Sequence, residues 1–183
     1  MKKIVLVFGL ISGAIAAALM FAAIPFVDRI GFDRALIVGY TTIILSLLLV
    51  FFGIRSYREN VGGGTITFGR AFAVGILITL ISCICYVVAW EILYYNFIPD
   101  FGDKYSAHLI EKAKAAGATA EAIQAQMEEA KKLKQILDNP FLNAAVTFTE
   151  PFPIGLIITL ISALVLRKRN KSSSSERTAG AEA

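Results

Sequence analysis

Charged side chains are nearly absent from four long stretches of this sequence. Asp, Glu, Lys and Arg make up 17% of the 183 residues and 56% are apolar, whereas about a quarter of an average soluble domain is charged. The uncharged runs cover residues 4–27, 35–54, 71–90 and 141–166, and the last is interrupted only by Glu150. Helices packed in a soluble protein keep a polar face. These runs have none, which excludes a soluble domain.

Metal-ligating and nucleophilic groups are also scarce. The chain has two cysteines and one histidine. Cys83 and Cys85 lie two positions apart in the third run, so on a helix they point about 200° away from each other and are poorly placed to share a metal or a disulfide. His108 lies in a charged loop with no second ligand nearby and is expected at the surface. Since the sequence also lacks a phosphate-binding loop and a nucleophile–base pair, we predict no cofactor, no metal and no enzyme activity.

Each uncharged run is long enough to cross a bilayer, because roughly 20 apolar residues in an α-helix span a ~30 Å hydrocarbon core. We therefore predict an all-α fold, a four-helix transmembrane bundle with spans at about 4–27, 35–54, 71–91 and 146–166. The first run continues past the small residues around Ala18, which is too long for a typical signal peptide, so it is expected to remain as the first helix.

The charged segment between the third and fourth runs predicts an extramembrane helical hairpin over about 103–137. Thr119 is placed to cap the second hairpin helix, and Asn139-Pro140 to end it. This helix carries a narrow apolar stripe, which either folds onto the rest of the hairpin and the bilayer surface or binds a protein partner. Residues 1–170 are expected to form a single membrane domain, and the Ser-rich tail 171–183 is expected to be disordered.

Basic residues flank the apolar runs unevenly. When the long third loop is left out, because long segments translocate largely regardless of charge, the segments on the side of the N-terminus hold ten Lys and Arg and the opposite segment holds two. We therefore predict a multi-pass protein of the bacterial inner (cytoplasmic) membrane with both termini cytoplasmic. The net charge of +4 arises from clusters at helix ends, so nucleic acid is not an expected partner.

Small residues at helical spacing predict close contacts between the helices. Lipid provides no hydrophobic drive for helices to associate, so packing through small residues takes over. The octets that begin at Gly75 and Gly155 share six of eight residues, which indicates either a duplicated unit or shared packing chemistry. The predicted packing positions are Gly9 and Gly13 in the first helix, Gly75, Thr79 and Ser82 in the third, and Gly155, Thr159 and Ser162 in the fourth.

Two acidic residues in the apolar runs are the candidate functional site. Glu91 ends the third run beside Trp90, and Glu150 interrupts the fourth just before Pro151 and Pro153. An ionised carboxylate in hydrocarbon is costly, so an intramembrane acid indicates function, here a proton- or cation-linked site. The alternative is structural. Glu91 would then reach the headgroups within an aromatic belt, and Glu150 would occupy a helix start, where negative charge is favourable.

Four stretches of the chain resemble a known family. They are Gly9 to Gly13; 53–58 leading through three glycines to 67–72; Tyr105 with 110–112 before Gly117; and 139–141 through 150–155 to 159–163. Over about residues 1 to 170 the chain resembles the domain of unknown function 4199 family, four-helix membrane proteins of Bacteroidota. The resemblance implies the architecture and supplies no reaction, substrate or catalytic residue.

These observations together predict an integral membrane protein that acts as a structural or interaction component. Its expected partners are the lipid bilayer and, through the 103–137 hairpin or the small-residue helix faces, a protein partner or a second copy of the chain. The alternative is a small proton- or cation-linked transport component that uses Glu91 and Glu150.

Overall fold

Most of residues 1–168 are helical in the structure, a computed structural model that describes these residues apart from the side chain of Asp28. The predicted disordered tail, 171–183, lies outside the described residues. The helices are α1 (Lys2–Ala23), α2 (Val27–Ile30), α3 (Phe32–Leu47), α4 (Leu49–Asn60), α5 (Phe68–Asn96), α6 (Phe101–Ala115), α7 (Ala120–Leu137), α8 (Pro140–Phe148) and α9 (Pro151–Leu166), with a 3-10 turn at Ile24–Phe26.

Four helical spans are long and apolar enough to cross a membrane: span one (Lys2–Phe26), span two (Phe32–Asn60), span three (Phe68–Asn96) and span four (Pro140–Leu166). Spans two and four each consist of two helices, α3 with α4 and α8 with α9. The hairpin of α6 and α7 lies between spans three and four. This arrangement confirms the predicted fold class. Span four begins earlier than the predicted start at 146, because Asn139 and Pro140 start α8.

Polar side chains cap several helices, as their sequences favour. The hydroxyl of Thr67 accepts a hydrogen bond from the Arg70 backbone N–H at the start of α5, and Thr119 does the same for Ala122 in α7. The carboxamide oxygen of Asn139 accepts from two backbone N–H groups of α8. Each cap satisfies donors that the first turn of a helix leaves unpaired.

Span three lies at the centre of the bundle, where α5 contacts α1, α4, α8 and α9. Packing around it is uneven. In the part formed by residues 1–16, 43–85 and 154–168, here named the packed half, span two contacts each of the other three spans. In the remaining part, residues 17–42 and 86–153, here named the hairpin half, residues 32–42 of span two contain no buried position.

The loop between spans two and three closes the packed half. Gly63 and Gly64 adopt positive φ angles of 58° and 81°, which side chains other than glycine adopt rarely. Ile66 then forms an isolated antiparallel bridge with Lys168, with N···O distances of 3.0 and 2.9 Å. The loop therefore holds the end of span four against the bundle.

The hairpin folds onto itself and onto the bundle. On the apolar stripe of α7, Ala130 and Leu137 are buried against their surroundings, while Met127 remains exposed. The Tyr95 hydroxyl donates to the Leu137 backbone oxygen at 2.9 Å. Lys112 of α6 pairs with Asp33 at the start of span two at 2.8 Å. These contacts make the part of the stripe at Ala130 and Leu137 internal.

Candidate functional site

The predicted packing residues of span one lie against span three. A Cβ atom added at Gly9 would lie 2.8 Å from Cβ of Ile81, and one added at Gly13 would lie closer still to Cβ of Cys85. Real Cβ atoms do not approach so closely, so only glycine permits this separation of the two backbones. Ser12, between the two glycines, is fully buried.

The repeated octets of spans three and four pack against each other. A Cβ at Gly75 would lie 2.8 Å from Cγ2 of Thr159, and one at Gly155 would meet Cγ2 of Thr79. The hydroxyls of Thr79 and Thr159 are 3.1 Å apart and hydrogen-bonded. Each octet thus places its glycine against the other's threonine, a reciprocal contact between antiparallel helices.

The two predicted serines have different surroundings. The Ser82 hydroxyl lies 2.9 Å from that of Ser12 in span one, rather than facing span four with Thr79. The Ser12 hydroxyl donates to the backbone oxygen of Ser46 at 2.7 Å, where span two changes from α3 to α4. Ser162 is buried in span four. Hydroxyl groups therefore connect spans one, two and three at one level of the packed half.

Glu150 lies at the break between α8 and α9. Pro151 and Pro153 have no N–H to continue the helical ladder, and the backbone N–H of Glu150 bonds only three residues back, to Thr147. Glu150 occupies the N-cap position, yet its side chain makes no capping hydrogen bond. Oε2 accepts instead from the Tyr86 hydroxyl of span three at 3.1 Å. The expected helix-start position is therefore present, but the carboxylate points elsewhere.

Glu150 and Tyr86 lie at the same depth. Each is ten residues from the hairpin end of its span, which corresponds to about 15 Å along a helix. Both border a cavity of about 640 Å³ in the hairpin half. The cavity lies between the exposed first half of span two, the end of span one, the hairpin and α8. Its aromatic and polar lining includes Tyr40, Tyr86, Trp90, Asp100, Lys104, Thr147 and Glu150.

Glu91 has different surroundings from Glu150 and does not border the cavity. It lies five residues after Tyr86 on the same helix, so the two side chains point about 140° apart. Its Oε1 atom is buried and has no hydrogen-bond partner among residues 1–168. The structure therefore does not join the two predicted acids in one site.

Asn143, which sequence reasoning did not select, holds the hairpin half together. It is fully buried, and its Oδ1 accepts from the Trp90 indole N–H at 2.9 Å and from the Thr147 hydroxyl at 3.2 Å. Its Nδ2 donates to the Leu137 backbone oxygen at 3.1 Å. A polar residue in an apolar run was the available signal, but an amide is less conspicuous than an acid.

His108 is half-buried, contrary to the expectation of a surface position. Its ring packs on Phe32, with ring centroids 5.2 Å apart, and its Nε2 lies 3.5 Å from Oδ1 of Asp33. The surface position was predicted from the charged residues around His108. Those residues do not indicate that α6 packs against the start of span two.

Charged groups of the hairpin form exposed pairs. The Lys104 ammonium lies 2.8 Å from Oδ2 of Asp100 and lowers the pKa of that carboxyl. The Asp103 carboxylate raises the pKa of Lys134 by accepting its hydrogen bond. Exposed pairs of this kind contribute little to stability. Within the described part of the chain, no three His, Cys, Asp or Glu side chains are grouped so as to hold a metal ion.

Comparison with known proteins gives one match. The family model described as "Protein of unknown function (DUF4199)" matches residues 7–168, which confirms the resemblance seen in the sequence. No curated protein and no solved structure matches the chain.

Proposed function

Because the chain belongs to the DUF4199 family, whose function is unknown, we propose from its own geometry that it is a non-enzymatic membrane component that binds a small molecule in the hairpin half. The observation that carries this proposal is the cavity of about 640 Å³ bordered by Glu150. Ligand sites are commonly apolar concavities of about 300–1,000 Å³ with a few convergent polar groups. In this proposal the interaction component predicted from the sequence has a small molecule as its partner.

In this proposal the two halves of the bundle have different roles, one as a rigid support and the other as the binding site. Backbones in the packed half are locked at Gly9, Gly13, Gly75 and Gly155, which leaves little space there for a ligand. In the hairpin half, the Asn143 hydrogen bonds and the docked hairpin fix the elements that border the cavity. A rigid support beside a preformed cavity lowers the ordering cost of binding.

A cavity-filling variant tests this proposal, because the chain's only tryptophan reports from the cavity wall. Gly39 borders the cavity, and a Cβ there would meet nothing within 4 Å. We expect 8-bromo-octanol to quench Trp90 fluorescence saturably in nanodiscs containing the wild-type protein. Gly39→Phe should abolish the saturable component. Gly69→Phe is the matched control, since Gly69 is equally uncrowded and does not border the cavity. Quenching that is linear in the wild type would remove the proposal.

The proposed location is the bacterial inner membrane, with both termini cytoplasmic and the hairpin outside. The charge bias of the sequence and the four spans support this orientation. Reporter fusions near residue 120 and at the C-terminus test it. We expect an extracytoplasmic signal from the first and a cytoplasmic signal from the second, and a cytoplasmic signal at residue 120 would reverse the orientation.

Proton- or cation-linked transport through Glu150 and Glu91 is the second candidate. One observation favours it, namely that Glu150 lies at a helix break beside a cavity, as ion sites of transporters often do. Proteoliposomes with a trapped pH-sensitive dye test it. Transport predicts a proton flux that Glu150→Gln abolishes and Glu91→Gln reduces, whereas a wild-type flux no greater than that of empty liposomes removes this candidate.

A further inference from the structure

The charges around the cavity do not cancel. Among the described side chains that border it, three carry a formal charge: Asp100, Lys104 and Glu150. Asp100 and Lys104 lie on the hairpin and form an ion pair at 2.8 Å. Glu150 lies further from the hairpin end of the bundle, is exposed, and has no cationic partner within 4.0 Å in the described part of the chain. The cavity wall therefore holds one carboxyl group without a cationic partner.

The hydrogen bond from Tyr86 does not replace a cationic partner for that carboxyl group. The Tyr86 hydroxyl donates to Oε2 at 3.1 Å, and a neutral phenol leaves the formal charge of an ionised carboxyl uncompensated. A carboxylate at this depth in a bilayer is costly unless it is protonated or paired with a cation. A bound cation would supply the missing partner.

The rest of the lining fits an organic ammonium cation. Tyr40, Tyr86 and Trp90 border the same cavity, and aromatic faces attract ammonium groups. Calcium and magnesium take six or more oxygen ligands, and the described residues contain no group of three or more His, Cys, Asp or Glu that could hold a metal ion. Apolar side chains from span one and the first half of span two form about half of the remaining wall, where a hydrocarbon chain would pack.

From this juxtaposition we infer that the cavity binds an amphiphilic organic cation, with its ammonium group at Glu150 between the aromatic rings and its apolar chain along span two. The inference rests on the proposed function and adds the chemical class of the ligand. No position from 32 to 42 of span two is buried, so this side of the cavity would admit such a molecule from the bilayer.

Three probes test the inference: octyltrimethylammonium, octanol and octyl sulfate. They share an octyl chain and differ in the charge of the head group. Their competition with 8-bromo-octanol is followed by Trp90 fluorescence in phosphatidylcholine nanodiscs, with concentrations expressed per lipid. We expect the cation to compete at least about tenfold more tightly than octanol, and octyl sulfate to compete most weakly. Glu150→Gln should bring the cation-to-octanol ratio near one while leaving octanol unchanged. Glu91→Gln is the matched control and should leave the ratio as in the wild type.

The outcomes separate the two proposals. If all three probes compete equally in the wild type, the cavity binds but does not select a cation, and the inference is overturned while the proposed function stands. If Glu91→Gln brings the cation-to-octanol ratio near one, as Glu150→Gln does, the inference is also overturned. If 8-bromo-octanol shows no saturable quenching, the proposed function itself fails. The wild-type ranking of the probes needs no variant, so the test holds even if Glu150→Gln does not fold.

Discussion

The packed half and the hairpin half share the same four spans but differ in how closely those spans approach one another. Apolar character does not decide how much of a span is buried, because the most apolar windows of spans two and three have mean hydropathies of 2.5 and 2.6, yet 22% of that window is buried in span two against 44% in span three. Several glycines lie where the spans are close. Gly75 and Gly155 lie in contact with a neighbouring helix, whereas Gly31 and Gly39 have nothing near their Cβ positions. Hydropathy places helices in a bilayer, and small residues bring them together.

The polar side chains of the two halves also differ, in their size. The buried polar side chains of the packed half are serines and threonines, and some of their hydroxyls bond across helix contacts, such as Thr79 to Thr159. In the hairpin half they are larger groups, including the Asn143 amide, the Trp90 indole and the Glu150 carboxylate. Larger polar groups need more space and more hydrogen-bond partners. The hairpin half provides that space because its helices lie further apart.

The largest expected effect is the contrast between Gly155→Leu and Gly39→Leu. The first forces a side chain into Thr79 of span three and should cost about 3 kcal/mol of unfolding free energy. The second adds a side chain in open space and should change the free energy by less than about 1 kcal/mol, partly because leucine favours a helix over glycine. Denaturant unfolding in mixed micelles measures both. Equal losses would show that the halves are packed alike.

Asn143→Leu should loosen the hairpin half selectively. It leaves the Trp90 N–H and the Leu137 carbonyl with fewer partners, at a cost of about 2 kcal/mol. We expect faster amide hydrogen exchange in α7 and α8 and unchanged exchange in the packed half. Asn96→Leu is the control, because Asn96 is exposed and bonds only within its own helix. Unchanged exchange in α7 would mean that Asn143 does not hold the hairpin.

The coupling free energy between Thr79 and Thr159 in the packed half should be smaller than the effects of the substitutions above. A double-mutant cycle on Thr79→Val and Thr159→Val measures it. Hydroxyl pairs between membrane helices contribute about 0.6 kcal/mol on average, and these two hydroxyls are 3.1 Å apart. Unfolding free energies of the four proteins measure the coupling. The matched cycle of Thr79→Val with Thr147→Val, whose hydroxyl bonds to Asn143 instead, should give a value near zero.

The smallest expected effect is the pH dependence of the hairpin. Lys104 lowers the pKa of Asp100, so this pair stabilises the hairpin above the ordinary pKa of Asp and is lost as pH falls through the lowered value. Asp103 raises the pKa of Lys134, so that pair is present below the ordinary pKa of Lys and is lost as pH rises through the raised value. Trp90 emission should therefore be flat between about pH 5 and 9. Asp100→Asn should reduce the change at the acid end, to which Asp33 also contributes because Lys112 lowers the pKa of its carboxyl, and an unaltered acid limb in that variant would exclude Asp100 as a cause.

The sequence by itself determined the four spans, the hairpin and the position of the break in span four. These features follow from local rules: uncharged runs of membrane length, Thr119 and Asn139 at helix starts, and prolines that cannot continue a helical ladder. The small-residue faces were also visible, since each is written within one helix at helical spacing. The DUF4199 membership was recognisable from the same local motifs.

Only the tertiary structure decided which faces meet and where the bundle stays open. The Tyr86–Glu150 and Thr79–Thr159 contacts join residues 64 and 80 positions apart, and no local pattern sets the register between helices so distant in sequence. For the same reason the sequence grouped Glu91 with Glu150, although rotation about the span-three axis directs Glu91 away from the cavity. Glycines bring the helices together in one half, whereas in the other half residues 32–42 of span two contain no buried position and the cavity lies beside them.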